Sequence, residues 1–284
     1  MCRFVVYSGP EVLLADLVVY PKHSLINQSF QSKERCEPLN GDGFGVGWYT
    51  PNLPGDPGVF VSTKPAWSNR NLHRLSRKVM SPLVFAHVRA ASRGLAVNEL
   101  NCHPFQYRDL IWMHNGRIDR FSKVKRKLRN MLRDDLYNYI QGTTDTEHAF
   151  ALFLNYLPED MTNLTPAVLK KAMLSTIGTL NQLTKEAGAE DPSHYNFAVT
   201  DGKTIIVTRY TDQADSQAET LYFSRGESYV CEGDCCRVIP PKDKPRAIII
   251  ASEPLTSEAK WEPVPVNHVL VIDKDLKIEM EPIH

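Results

Sequence analysis

The sequence predicts an α+β fold, and three observations predict it. Short apolar, β-rich runs crowd the first 120 residues, helical periodicity fills the middle with no strand between its helices, and strand patterns resume after Tyr195. With 284 residues, 42% of them hydrophobic and 23% charged, the chain can bury a large core without staples, and a single domain over residues 1–284 is the economical reading.

The first run, CRFVVYSGP, reads as a buried strand with Cys2 at its start and Ser8-Gly9-Pro10 as its stop. EVLLADLVV follows as a short helix, and NGDGFGVGWYTP as a glycine-rich turn entering a strand. PLVFAHVRAAS and LIWMHNGRI are further apolar runs that end in polar residues. One delivers His87, Arg89 and Ser92, the other His114, Asn115 and Gly116, with the glycine-rich loop between Cys2 and both. A site assembled at strand ends is expected.

Over residues 119–141, apolar side chains recur at Phe121, Val124, Leu128, Met131, Leu132, Leu136 and Ile140, which predicts a helix stopped by Gly142. TDTEHAFALFLNYLP opens with Thr144 and Glu147 in capping-box spacing and carries Ala149, Leu152, Phe153 and Tyr156 on one face. Residues 166–188 form a third helix, and the three are expected to pack as a layer against the earlier strands. The strand-rich part, residues 195–284, begins with YNFAVTDGKTIIVTRY, whose Asp201-Gly202 is a hairpin signal. ETLYFS, RAIIIASEP and HVLVIDKDLKIEMEPI supply the remaining strands.

Composition excludes several functions. Lys and Arg number 33, Asp and Glu also 33, so no global field recruits nucleic acid or an anionic membrane. KVKRKLRNMLR, at helical spacing, is a solvated face closed by Asp134 and Asp135 rather than a nucleic-acid patch. No uncharged stretch approaches the ~20 residues that span a bilayer. Six cysteines at irregular spacing, without a signal peptide ahead of them, argue against a disulfide framework and for a reducing, cytoplasmic setting. Cys231, Cys235 and Cys236 in CEGDCC then read as surface thiols.

Neither metal nor cofactor is expected. His87, Cys102, His103 and His114 include no C-x-x-C or H-x-x-x-H pair. GDGFGVGW lacks a following Gly-Lys-Ser/Thr and leads into a strand, which excludes a phosphate loop.

Cys2 carries the sharper hypothesis. Once Met1 is removed, Cys2 carries both a thiol and a free α-amine, and groups of these two kinds ordinarily titrate near ~8.5 and ~7.7 to 8.0, within reach of neutrality. The amine can then act as general base for the thiol of its own residue. The competing reading, that position 2 is an arbitrary residue, loses weight only if the rest of the chain supplies partners.

The chain resembles a known family. Cys2 behind Met1, NGDGFGVGWY, AHVRAAS, NCHPF, HNGRI and TDTE stand in the order found in class II glutamine amidotransferase domains of the N-terminal nucleophile hydrolases. HSLINQSF, NFAVTDG and ASEPLT resemble the fungal subfamily that contains the amidotransferase-like subunit of the cytosolic glutathione-degrading complex, and extend the likeness to about Thr256. The resemblance implies a four-layer αββα sandwich. It implies that Cys2 attacks a γ-glutamyl carbonyl, that Asn115 and Gly116 form the oxyanion hole, and that Arg89 and Asp145 hold the substrate α-carboxylate and α-ammonium. Ser92 and His103 match further binding positions, and the glycine loop would shape the glutamyl pocket. Each has a plain structural alternative: Asn-Gly is a common turn dipeptide, Asp145 an acid suited to a helix start, and Ser92 and His103 ordinary local hydrogen-bonding groups.

The resemblance also implies the reaction: hydrolysis of a γ-glutamyl amide, with glutathione giving glutamate and cysteinylglycine, and with a metallopeptidase-like protein subunit as partner. The alternatives are a glutaminase or amidotransferase subunit supplying ammonia, the γ-glutamyl amidohydrolase of ergothioneine-type synthesis, and an inactive γ-glutamyl-binding scaffold. No synthase domain follows the motifs, which favours hydrolysis or an acceptor on another subunit.

Overall fold

The computed structural model describes residues 2–34, 38–51, 53, 55–91, 96–213, 216–257 and 260–284. In chain order the elements begin with β1 (Arg3–Leu13), α1 (Leu14–Val18), α2 (Leu25–Phe30), β2 (Phe44–Trp48), β3 (Gly58–Ser62), α3 (Arg70–Leu75) and β4 (Met80–Val88). Next come β5 (Phe105–Tyr107), β6 (Leu110–Arg117), α4 (Phe121–Asn130), α5 (Asp134–Tyr139), α6 (Asp145–Asn155) and α7 (Pro166–Glu186). The remainder is β7 (His194–Thr200), β8 (Ile205–Arg209), β9 (Tyr222–Gly226), β10 (Ser228–Glu232), β11 (Cys235–Ile239), β12 (Ala247–Ala251), β13 (Glu262–Pro263), β14 (His268–Ile272) and β15 (Ile278–Pro282). The chain is thus α+β, and it divides into two compact units: Met1–Met113 with Thr220–Val264, and His114–Glu219 with Pro265–His284.

The first unit holds a seven-stranded sheet in the order β13-β9-β12-β1-β4-β2-β3. β1 lies at its centre, antiparallel to β12 and β4. Side chains alternate across a strand, so Arg3, Val5 and Tyr7 share one face. Val5 and Tyr7 join the apolar cluster with Leu14, Leu17, Leu25 and Ile26 from α1 and α2. Ser24 caps α2 by accepting from the Asn27 N–H at 3.3 Å.

Ser8-Gly9-Pro10 does not stop β1, contrary to the sequence expectation. The strand runs on to Leu13, with its pairing to β4 shifting register between Ser8 and Val12. Pairing with β12 covers Val5 to Ser8, so Pro10 falls at an irregularity where no ladder donor is required. The helix expected in EVLLADLVV is confined to its last residues for the same reason.

The cysteines near position 231 also differ from expectation. Cys231 and Cys236 are directly opposed across the β10–β11 pair, their Cα atoms 4.0 Å apart, and form a disulfide, with Cys236 buried. The two-residue Gly233-Asp234 turn brings them into register, a placement that irregular spacing in sequence does not reveal. Cys235 is an exposed free thiol.

In the second unit the strand order is β15-β14-β8-β7-β6, and the first half of β6 pairs with β5 in the first unit (Phe105↔Trp112, Tyr107↔Leu110). The Asp201-Gly202 turn joins β7 to β8 as expected. The helices do form a layer, but α7 packs on β8 and β14, strands that follow it in sequence. Residues 119–141 are two helices rather than one, because Arg133 is extended (ψ 153°) and its N–H donates to Asn155 Oδ1 at 3.0 Å. This tertiary bond overrides a local periodicity that is otherwise continuous. No helix among the described residues is long and apolar enough to cross a membrane.

Candidate active site

In the first unit Cys2 stands one residue ahead of β1, buried, its Sγ 3.7 Å from the Ala90 carbonyl oxygen. The sheet explains that neighbour, since the first rung of the β1–β4 ladder pairs Arg3 with Val88 and so sets Cys2 beside the segment that follows β4. The Cys2 carbonyl accepts from Arg3 Nη1 at 2.9 Å.

Arg89 directly follows β4 and is zipped to the glycine loop. Its N–H donates to the Gly43 carbonyl at 2.8 Å, and its carbonyl accepts from the Asp42 N–H at 3.0 Å. The Asp42 carboxylate accepts from the Ala91 N–H at 2.8 Å, closing the turn. Gly43 is required there: its φ is +117°, and a Cβ would stand 2.7 Å from Cys102 Sγ. The Arg89 side chain is 3% exposed; Nη1 reaches the Asp42 carbonyl at 3.4 Å, and Nη2 has no hydrogen-bond partner among the described residues. A buried guanidinium without a carboxylate is costly unless an anion completes it.

Cys102 is buried, and burial pushes its thiol up to about 11, against the pull of the nearby Arg89 charge. It is therefore protonated and inert near neutrality. His103 is 3% exposed, its Nδ1 2.8 Å from His87 Nε2 and its ring 5.1 Å from that of Phe105. The contacts it makes are thus those of a packed core pair. Ser92 lies outside the described residues.

In the second unit β6 carries His114, Asn115 and Gly116. His114 Nε2 lies 2.9 Å from the His194 carbonyl oxygen, and its Nδ1 3.0 Å from Thr146 Oγ1. A carbonyl can only accept, so Nε2 holds the proton and Nδ1 accepts from the threonine hydroxyl. Burial lowers the pKa of His114, which keeps it neutral. The locked imidazole flanks Asn115, which is fully buried with neither amide atom partnered among the described residues. Leaving such groups unsatisfied costs about 1 to 3 kcal/mol each, a cost native proteins tolerate chiefly where a ligand is bound. Gly116 cannot be replaced, since a Cβ would collide with the His194 carbonyl oxygen and come within 2.5 Å of His114 Nε2.

Asp145 is the first residue of α6, where an acid complements the helix dipole. Its Oδ2 accepts from the Ile118 N–H at 2.9 Å and its Oδ1 from the Thr146 N–H at 2.8 Å. The carboxylate is half-buried; the Thr146 Oγ1 also lies 3.4 Å from Oδ1, so among the described residues Oδ2 is the oxygen that keeps a lone pair for a further donor. Thr144 caps the helix through the Glu147 N–H at 3.2 Å. The Glu147 carboxylate binds the Gln141 and Gly142 N–H groups at 2.9 and 2.8 Å, so this side chain ties the helix start to the preceding loop.

The structure therefore places Cys2 beside the segment after Arg89 in the first unit, and groups Asn115, Gly116 and Asp145 with His114 in the second. Asp42 was missed by sequence reasoning although it stands within the glycine motif, because an Asp between two glycines carries a turn signal and no other. No three His, Cys, Asp or Glu side chains among the described residues are arranged to hold a metal. A cavity of about 380 Å³ in the first unit is lined by Lys22, His23, Lys33 and Glu253 among others, and by none of the predicted site residues.

Comparison with known proteins identifies the family. The family model for class II glutamine amidotransferases matches residues 18–280. Probable glutamine amidotransferase DUG3 of Saccharomyces cerevisiae is 44% identical over 96% of this chain and 82% of its own length. The gamma-glutamyl-hercynylcysteine sulfoxide hydrolase of Mycolicibacterium smegmatis is 24% identical over the full length of both chains. Among solved structures, a glutamine aminotransferase class-II domain protein from Silicibacter pomeroyi superposes with a TM-score of 0.68 at 22% identity, covering 99% of each chain. The glutamine phosphoribosylpyrophosphate amidotransferase of Bacillus subtilis matches all of this chain and 49% of its own, with a TM-score of 0.63 at 17% identity. These likenesses carry the expected fold, that of the N-terminal nucleophile amidotransferases, and the chain belongs to the class II glutamine amidotransferase family.

Proposed function

We propose that the protein hydrolyses a γ-glutamyl amide with Cys2 as nucleophile, and that its substrate is glutathione, cleaved to glutamate and cysteinylglycine. The observation that carries the substrate class is the buried Arg89 guanidinium whose Nη2 has no partner among the described residues. A planar fork of donors held out of water is completed by a carboxylate, such as the one at the amino-acid end of every γ-glutamyl compound. Asp145, whose Oδ2 accepts from the Ile118 N–H alone among the described residues, is the counterpart for the α-ammonium.

With Met1 removed, the Cys2 α-amine takes the thiol proton and Sγ bonds to the γ-carbonyl carbon. The oxygen becomes an oxyanion, stabilised by the Asn115 Nδ2–H and the Gly116 N–H, and the unpartnered Asn115 amide supports that role. Collapse of this adduct breaks the C–N bond. The departing nitrogen leaves with the proton held by the α-ammonium, and a thioester on Cys2 remains. Water then attacks the thioester and gives its proton to the amine, which releases glutamate and restores the thiol. No metal or cofactor takes part in this scheme.

The setting we propose is the cytoplasm, residues 1–284 serve as a single catalytic domain, and a metallopeptidase-like subunit is the partner that consumes the dipeptide. The test is an assay of the Met1-processed protein against glutathione, glutamine and γ-glutamylcysteine, alone and with that subunit. Faster release of glutamate from glutathione than from glutamine in the complex supports the proposal. Strong preference for glutamine assigns the protein to the ammonia-supplying class instead.

A further inference from the structure

HSLINQSF and ASEPLT, two motifs without a role in the chemistry above, meet at one buried carboxylate in the first unit. Glu253 is 1% exposed. Its Oε1 accepts from Arg3 Nε at 2.6 Å, from the Ser32 hydroxyl and from the Glu34 N–H at 3.2 Å. Its Oε2 accepts from His23 Nε2 at 2.6 Å and from the Lys33 N–H at 2.9 Å. Gln28 Nε2 ties the His23 carbonyl, at 3.0 Å, to that of Glu253, at 3.5 Å. Burial opposes ionisation of Glu253, yet the bonds from His23, Ser32 and Lys33 and the Arg3 charge hold its carboxyl well below the usual range.

Arg3 is the reason such a site is needed. It is fully buried and occupies the same face of β1 as Val5 and Tyr7, where the apolar cluster continues. A buried ion pair at such a position is seldom favoured over apolar side chains of similar volume, so core stability does not account for it. Beside its Nε bond to Ser32 Oγ at 3.1 Å, the guanidinium reaches two carbonyls: Nη2 donates to that of Glu34 at 3.2 Å and Nη1 to that of Cys2 at 2.9 Å. The second of these is informative. β1 begins at Arg3, so Cys2 stands ahead of the ladder, and in the processed chain its nitrogen is the free base. Its carbonyl is then a backbone group by which the nucleophilic residue is held among the described residues.

We infer that Arg3, anchored by Glu253, is a positioning residue for Cys2: it fixes the Cys2 carbonyl and with it the direction in which thiol and α-amine face the substrate. The inference rests on the assignment of Cys2 as nucleophile. A misplacement of about 1 Å costs on the order of 10²-fold in rate. The side chain itself touches no reacting atom.

The test uses Met1-processed full-length protein and γ-glutamyl substrate. The double variant Arg3→Met/Glu253→Gln removes the fork without leaving a lone buried charge. We expect it to fold, to keep KM within about two-fold, and to lose kcat by about 10²-fold per folded molecule. Ser32→Ala, which loosens the same pair more gently, is expected to lower kcat by about three-fold, as for one neutral hydrogen bond, again at unchanged KM. An unchanged kcat per folded molecule in the double variant overturns the inference, as does a loss that merely tracks the folded fraction seen by circular dichroism. Should the double variant not fold, Ser32→Ala decides, and unchanged kcat there overturns it. Cys2→Ala is measured alongside: activity surviving in that variant defeats the nucleophile assignment itself, whereas an inactive Cys2→Ala beside fully active Arg3 variants defeats only the positioning role.

Discussion

Arg3 and Arg89 are both buried in the first unit, and they are opposites. Arg3 spends its donors on Glu253, Ser32, Glu34 and Cys2, all within the protein. Among the described residues the Arg89 side chain has one long bond, to the Asp42 carbonyl, and an unpartnered Nη2. Equal burial therefore does not mean equal role. A saturated guanidinium holds the protein to itself, whereas an unsaturated one has donors left for an anion, and in the proposed function it is this missing bond that marks Arg89 as the binding residue.

The comparison can be broken most decisively at the nucleophile. An uncleaved N-terminal extension, or Cys2→Ala, is expected to abolish glutamate release while circular dichroism stays unchanged. Full turnover in a stably N-extended protein would refute the mechanism. Next in size is Arg89→Ala, which removes one side of a buried charge pair with the substrate and is expected to cost about 2 to 5 kcal/mol in kcat/KM. Because Arg89 satisfies nothing else well, its melting temperature is expected to hold, and a large fall in melting temperature without a kinetic effect would reverse the roles given to the two arginines.

Asn115→Ala is expected to lower kcat by about 10²- to 10³-fold, the scale of one lost oxyanion donor. Since both its amide atoms are unpartnered among the described residues, stability should not fall.

A smaller effect separates the thiols. With Cys102 pushed up to about 11 by burial, iodoacetamide at pH 8 should label the exposed Cys235 and spare Cys102, as peptide mass mapping would show. Labelling of Cys102 in the folded protein would contradict its burial.

The smallest concerns acid. His148 is buried and its pKa is lowered to about 4, so the unfolded chain binds more protons than the folded one between about 6.5 and 4. Stability is thus full above pH 6.5 and declines as the pH falls through that window. Glu253, whose carboxyl is also depressed, adds its loss below its ordinary value of 4.5. Denaturant titrations should show the decline, and Glu253→Gln should flatten its acid end alone.

Much of this was legible in the sequence. Strand ends carrying Arg89 and Asn115 followed from apolar runs that stop at polar residues, and the Asp201-Gly202 turn from its dipeptide. Other features were not, for identifiable reasons. Gly9-Pro10 is a stop signal that an irregularity in β1 absorbs, and the break before α5 depends on Asn155, 22 residues away. The Cys231–Cys236 bond needed the register of β10 on β11. Arg3 and Glu253 are 250 residues apart, so nothing local joins them. The one local hint was an arginine inside CRFVVY, a charge where an apolar side chain belongs.

The central claim is that a γ-glutamyl carbonyl is delivered to Cys2 by a buried arginine held in reserve for a carboxylate. Its most direct test is covalent capture: the Met1-processed protein is treated with a γ-glutamyl analogue bearing a chloroketone at the γ-position, and the adduct is located by tandem mass spectrometry. The account predicts one adduct, on Cys2, formed rapidly in the parent protein and greatly slowed in Arg89→Ala. An adduct on another residue, or equal labelling of Cys2 without Arg89, would contradict it.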